Sequence, residues 1–264
     1  MKKLSILIYG ILAYVGFLGV LVYAIGFIGN FAVSNSLDAM TSITFSQALM
    51  INLGLLAAFS LQHSGMARKG FKAWITQFIP KSAERSTYVL LSNFAMILLF
   101  VFWQPMGGVI WSVESSLTKT VMITLYMFGW SLVVISTFLI EHFELFGLKQ
   151  VWYQFKGQSL PKAKFVSPAL YRYVRHPMYV GWIVVFWAAT TMTVAHLIFA
   201  LLCTAYIVIA IRFEEKDLND ELGEAYSNYQ REVPMLIPQI NASTTINKSA
   251  ENSINQTVST GEQS

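Results

Sequence analysis

The stretch that decides the fold begins Tyr171-Arg172-Tyr173-Val174-Arg175-His176-Pro177-Met178-Tyr179-Val180-Gly181, continues through an apolar run from Trp182 to Ile211, and leaves through Arg212-Phe213-Glu214-Glu215-Lys216-Asp217. The run is long enough to enter a bilayer, and Thr190-Thr191-Met192-Thr193 interrupts it. It therefore reads as two short helices folded back on each other. A hairpin returns to the face it left, which puts both charged clusters at one side of the membrane. Proline is tolerated in a first helical turn and pushes the preceding residue away from helical backbone, so His176 is predicted just outside the helix that Pro177 opens. After Asp217, the residues Leu218, Leu222, Tyr226 and Tyr229 recur at helical spacing with charges between them, which predicts an amphipathic helix against the membrane or the hairpin. The plain reading of the whole stretch is a positively flanked hairpin closed by a salt bridge from Arg212 to Glu214 or Glu215.

The rest of the chain agrees with a membrane setting. Of 264 residues, 55% are hydrophobic, 14% aromatic and only 12% charged, which excludes a soluble core with a charged surface. Apolar runs from Leu4 to Ile28, Phe45 to Met66, Tyr88 to Trp103 and Val121 to Ile140 precede the hairpin, giving an all-α integral membrane protein with about six membrane-inserted helices. The basic start Met1-Lys2-Lys3 resembles a signal peptide, but the run behind it is too long for a signal core and suits a retained span. Lys and Arg alternate with the loops. Lys2, Lys3, Arg68, Lys69, Lys72, Lys81, Arg85, Lys149, Lys156, Lys162, Lys164, Arg172, Arg175, Arg212, Lys216, Arg231 and Lys248 fall on one side, while segments 30–44 and 104–120 hold only Lys119. The positive-inside rule then places both termini in the cytoplasm. Segments 69–79 and 148–156 carry aromatic residues among basic ones and read as helices in the headgroup plane. Residues 1–240 read as a single domain, and the polar segment 241–264 reads as a disordered tail.

Polar groups beside membrane spans are expensive and mark candidate sites. Gln62 and His63 close the second span, His142 follows the fourth, His176 opens the hairpin, and Glu214 and Glu215 end it. Three of the four histidines thus share one depth, whereas His196 belongs to the opposite side as a capped or interfacial residue. No His-Glu-x-x-His run or comparable spacing supports a metal. The lone Cys203 sits in an apolar helix and reads as packing. Neither a Gly-x-Gly-x-x-Gly turn after a strand nor a P-loop is present, and the composition offers nothing for nucleic acid.

Four blocks in order are more specific. Arg175 to Gly181, Arg212 to Leu218, Gly223-Glu224-Ala225-Tyr226-Ser227-Asn228-Tyr229 and Val233-Pro234-Met235-Leu236-Ile237-Pro238 resemble the catalytic half of membrane methyltransferases related to isoprenylcysteine carboxyl methyltransferase and phospholipid methyltransferases. That fold also hosts sterol reductases, so fold and activity are separate questions. Gln62-His63-Ser64-Gly65-Met66-Ala67-Arg68, Glu84-Arg85-Ser86-Thr87-Tyr88-Val89-Leu90 and His142-Phe143-Glu144-Leu145-Phe146-Gly147-Leu148-Lys149-Gln150-Val151-Trp152 resemble the methanethiol S-methyltransferase branch. The resemblance implies methyl transfer from S-adenosylmethionine to methanethiol, giving dimethyl sulfide, at an inner (plasma) membrane of a bacterium. It further implies a catalytic half at about 142–238, in which Tyr171, Val174, Arg175, His176, Pro177, Tyr179, Gly181, Glu214 and Glu215 hold the cofactor, with Lys149 or Gln150 near its carboxylate. Gln62, His63, Arg85, Tyr88 and His142 would line the acceptor side. The acceptor thiol must lose its proton, and His142, His63 or Glu215 would be placed to take it. Alternatives are another small thiol, a lipid amine, or a non-enzymatic accessory protein of nitric oxide reductase, whose associated membrane proteins share part of the block at Gln62.

Overall fold

The computed structural model describes residues 2–39, 43–161 and 168–238. The tail 241–264 and the basic positions Lys162, Lys164 and Lys248 lie outside the described residues. Among the described residues, five helices are long and apolar enough to cross a membrane: α1 (Lys2–Gly29), α2 (Phe45–Ala67), α4 (Glu84–Phe102), α5 (Ser116–Leu139) and α9 (Val194–Leu222). Between them lie α3 (Lys69–Ile75), α6 (His142–Leu145), α7 (Leu148–Lys156) and the short apolar α8 (Pro177–Trp187); α10 (Glu224–Glu232) follows α9. Large apolar side chains point outward along the long helices, with Met50 75%, Leu61 74% and Leu117 76% exposed. Surfaces of that kind are stable only against lipid. The molecule is an integral membrane protein.

The hairpin is asymmetric. At about 1.5 Å per residue, α8 rises only about 16 Å, roughly half a hydrocarbon core. The chain completes the height in extended form, through a two-stranded antiparallel ribbon of β1 (Val109–Ser112) and β2 (Thr191–Thr193). This ribbon was not expected from the sequence: its first strand lies in a loop and its second is three residues long. The ribbon gives the extended backbone partners, with Val113 N bonding Thr190 O at 2.9 Å and Val194 N bonding Gly108 O at 2.9 Å. Trp111 adds an indole bond to Ala189 O at 3.1 Å.

α8 is held against α5 by paired glycines. A Cβ at Gly181 would stand 2.7 Å from Gly129 O, and one at Gly129 would stand 2.9 Å from Gly181 O, so neither position admits a side chain without moving the backbones apart. Close approach through small residues is the usual way membrane helices gain packing contact. Around this crossing lies an aromatic core including Phe27, Phe100, Trp103, Trp130, Phe186 and Phe199. Buried amides tie the remaining helices: Asn52 Nδ2 donates to Gln104 O at 2.7 Å, Asn52 Oδ1 accepts from Gln104 N at 2.9 Å, and Asn93 Nδ2 donates to Ala13 O at 2.9 Å.

Both aromatic and basic segments are helical, as α3 and α7. In α7, Val151 is buried and would collide with any side chain at Gly10 of α1, while Trp152 and Phe155 face outward. The helix expected through Leu218, Leu222, Tyr226 and Tyr229 is a correction. Gly223, with φ of +59°, breaks it, so Leu218 and Leu222 continue α9 whereas Tyr226 and Tyr229 belong to α10, which folds back on α9. A left-handed residue at a helix end is the normal place for glycine.

Candidate active site

The basic end of the hairpin is closed by one carboxylate. Pro177 occupies the first turn of α8, and His176 caps it at φ −127° and ψ 62°, outside helical backbone as expected. From there Arg175 Nε donates to Glu215 Oε1 at 2.7 Å, and His176 Nε2 bonds the same oxygen at 3.0 Å. Glu215 therefore pairs with Arg175 and not with Arg212. Its Oε2 accepts from Gln230 Nε2 at 3.0 Å, so both oxygens are committed. Arg175 also reaches the chain beyond α10, donating through one terminal nitrogen to Gln230 O at 3.1 Å and to Val233 O. The backbone follows, with Arg175 N to Pro234 O at 2.9 Å and His176 N to Met235 O at 3.2 Å. Arg175 and Glu215 side chains are 11% and 14% exposed, a depth at which removing one partner of an ion pair costs about 3–5 kcal/mol.

Residues that the sequence did not single out complete this clasp. Asn219, one turn after Glu215, donates to Glu215 O at 3.0 Å and to Gln230 Oε1 at 2.9 Å, and Ser227 Oγ donates to Asn219 Oδ1 at 2.9 Å. They are ordinary polar residues of a surface helix in the sequence; only the fold-back at Gly223 brings them onto Glu215. Tyr229 donates to Tyr171 O at 2.6 Å, and burial pushes its phenol up to about 12 and that of Tyr171 up as well, so both stay protonated donors.

Beside the saturated Glu215, Glu214 is open. Tyr179 donates to its Oε2 at 2.9 Å, and its other oxygen has no hydrogen bond among the described residues. The hairpin meets α2 through α9. Ser64 bonds Tyr206 at 2.8 Å, Arg68 reaches Asp217 at 3.2 Å, and the Arg68 guanidinium lies 4.9 Å from the centre of the Phe213 ring. Next to Ser64, His63 stacks on Phe59 and meets the Tyr88 hydroxyl at 3.0 Å from Nδ1 and 2.9 Å from Nε2. Arg85 lies over the Tyr88 ring at 4.9 Å while its Nε donates to Leu145 O at 2.6 Å. Gln62 donates to Ser92 Oγ at 3.3 Å, and its Oε1 is buried without a partner. An apolar groove of about 230 Å³ runs along α2 and α9 between Leu53, Leu56, Phe59, Leu202 and Tyr206.

Not every expected residue stands in this group. His142 faces α1: its Nε2 is 2.8 Å from the Tyr14 hydroxyl and its Nδ1 2.8 Å from Thr137 Oγ1, with Phe138 stacked on it at 4.1 Å. Burial pushes its imidazole below the ordinary value and keeps it neutral. Lys149 is taken by Glu144 at 2.8 Å and Glu141 at 2.9 Å. Gln150 donates to Glu144 O at 2.9 Å, with its Oε1 buried and unpartnered. Val174 and Pro177 are buried, and Gly181 faces α5. No group of three or more metal-ligating side chains occurs among the described residues.

Comparison with known proteins now bears on the chemistry. Residues 130–220 match the model of the isoprenylcysteine carboxyl methyltransferase (ICMT) family. The methanethiol S-methyltransferase of Crocosphaera subtropica is 51% identical over 240 residues, covering 91% of this chain and 94% of that protein. The protein of the same name from Mycobacterium tuberculosis is 46% identical, covering 90% of this chain and 98% of its own length. A third, from a Pseudomonas species, is 47% identical over 90% of this chain and 92% of its own. The chain belongs to the methanethiol S-methyltransferase family. No solved structure matches it.

A methanethiol S-methyltransferase needs a methyl donor, and the clasp can be tested for one. The open oxygen of Glu214 and the aromatic faces of Tyr179 and His176 form an acidic and aromatic set. Such a set suits a cation that also carries hydrogen-bonding groups. The residues present fit.

Proposed function

We propose that this protein transfers a methyl group from S-adenosylmethionine to methanethiol, releasing dimethyl sulfide, at a site facing the cytoplasm from a bacterial inner membrane. The observation that carries the reading is the clasp: Arg175, Glu215 and Gln230 join the two ends of the hairpin to the segment after α10, with the half-free Glu214–Tyr179 pair beside them. In this assignment Glu214, Tyr179 and His176 hold the donor, which supplies an electrophilic methyl group on a cationic sulfur. Arg175 and Glu215 build the wall that these groups stand on, because their own hydrogen-bonding capacity is spent on each other and on residues 230–235. The surrounding helices exclude water from a small thiolate and align it for in-line attack, which supplies up to about 7–11 kcal/mol of the barrier reduction.

A neutral thioether leaves, so no acid is required. The acceptor's proton must go to a base. The apolar groove along α2 and α9 favours a small apolar thiol over a lipid amine. The basic residues clustered at the clasp end support the cytoplasmic placement. The test is direct: the purified protein in lipid is given methyl-labelled S-adenosylmethionine and methanethiol. Labelled dimethyl sulfide is the expected product, and label moved to phosphatidylethanolamine instead would replace this reading with the lipid-amine one.

A further inference from the structure

Three side chains could take the acceptor's proton, and their surroundings separate them. Glu215 has no free oxygen: Oε1 serves Arg175 and His176, and Oε2 serves Gln230. His142 has no free lone pair. Thr137 Oγ1 donates to Val134 O at 2.7 Å, so toward His142 Nδ1 it must accept, which places the ring proton on Nδ1. Nε2 is then the acceptor, and the Tyr14 hydroxyl fills it at 2.8 Å. The groups touching His142 come from α1, α5 and the turn after it, and among the described residues none is from the hairpin.

His63 differs on each count. The Tyr88 hydroxyl is nearly equidistant from its two ring nitrogens, so it lies between their axes and commits neither nitrogen alone. Ser92 Oγ is 3.4 Å from Nδ1, at the limit of a hydrogen bond. Both neighbours are hydroxyls, which donate or accept as needed, so the ring finds partners before and after it takes a proton. The adjacent Ser64 is bonded to Tyr206 of α9, which puts this turn of α2 against the hairpin. The orphaned Oε1 of Gln62, the residue before it, offers an acceptor to a polar hydrogen arriving there.

We propose that His63 is the base for methyl transfer, that Tyr88 is a positioning residue which holds the imidazole, and that His142 and Glu215 are joints of the scaffold. The proposal rests on the thiol methyltransferase reading above. In the step, the thiol S–H bond breaks and its proton passes to a ring nitrogen of His63 while the thiol sulfur bonds the methyl carbon. The bond from that carbon to the donor sulfur breaks, leaving a neutral thioether. The positive charge that began on the sulfonium ends on the imidazolium, which gives its proton to water. The groups around His63 that carry or could carry charge are Tyr88 and Arg85 of α4, with Tyr206 of α9 bonded to the adjacent Ser64.

The experiment compares two acceptors, methanethiol and the more acidic trifluoroethanethiol, with full-length protein in nanodiscs and S-adenosylmethionine as donor. S-adenosylhomocysteine binding by calorimetry serves as the check of folding. His63→Gln should bind S-adenosylhomocysteine within about twofold of the parent and lose about 100- to 10,000-fold in kcat with methanethiol. It should lose far less with the acidic thiol, and the acid limb of its pH–rate profile should vanish. His142→Gln should keep that limb. An equal loss on both thiols, an unchanged kcat in His63→Gln, or disappearance of the limb in His142→Gln would overturn the assignment. Should His63→Gln fail to bind S-adenosylhomocysteine, Tyr88→Phe decides: the limb must move, and an unmoved limb refutes the proposal. Parent protein that methylates neither thiol would refute the functional reading itself, whatever His63 does.

Discussion

Each end of α9 is tied to the rest of the molecule by a histidine and a carboxylate, and the two ties differ in what they leave over. At the far end, Asp38 accepts from Thr193 N at 3.2 Å, Thr193 Oγ1 at 2.7 Å and His196 Nδ1 at 2.9 Å, while His196 Nε2 donates to Phe186 O at 3.0 Å. These side chains are 1% and 3% exposed. The ring donates from both nitrogens and the carboxylate accepts three times, so the polar capacity is consumed where the hairpin turns. At the basic end every oxygen of Glu215 is likewise hydrogen-bonded, but the clasp stands beside a half-free Glu214. A network closed on itself is scaffold; one with surplus polar atoms at its edge is where a ligand can be recognised.

That contrast can be broken most severely at Arg175. Arg175→Ala strands the Glu215 carboxylate and releases residues 230–235, and it should cost about 3–5 kcal/mol of stability together with detectable donor binding, read by thermal unfolding and calorimetry. The matching change at the other end, Asp38→Asn, should cost about 2–3 kcal/mol yet leave kcat of the folded fraction within about twofold. A Michaelis constant raised as much as by Arg175→Ala would mean that the far tie is not mere scaffold. Glu214→Gln sharpens the distinction from within the clasp: unfolding should move by less than about 0.5 kcal/mol, whereas the Michaelis constant for the donor should rise about tenfold, or 1.4 kcal/mol. The smallest effect concerns His142. Its folded pKa lies below the ordinary value of about 6.5, so below that pH the unfolded chain binds a proton that the folded protein refuses. Stability should therefore fall as pH drops through about 6.5 and level off below the depressed folded pKa. His142→Gln should flatten that part of the curve, and an unaltered slope would assign it to another group.

The sequence makes the spans legible because lipid demands long apolar runs, and the boundaries of α1 and α2 follow from composition alone, whereas α5 starts at Ser116, ahead of the Val121 expected. It also reveals that the segments holding Arg175 and Glu215 share a face, since a hairpin must return its charged ends there, although the partner it suggests for Glu215 is Arg212 and not Arg175. The ribbon of β1 and β2 is illegible, because its pairing satisfies a backbone need that arises only once α8 proves too short. Gln230 and Asn219 are hidden for a related reason. Nothing in a polar surface helix marks the residue that will meet Glu215 until the chain reverses at Gly223. His142 shows the opposite error: a histidine beside a span looks chemical, yet Tyr14, seen from the sequence as one more residue of an apolar run, satisfies it.

The strap formed by Val233 to Met235 has a temporal side. Ribosomes deliver those residues after every hairpin partner, and the backbone of Arg175 and His176 has no hydrogen bond to them until then. A nascent chain already threaded through the bilayer thus carries an unfinished clasp, which closes only when Pro234 and Met235 arrive.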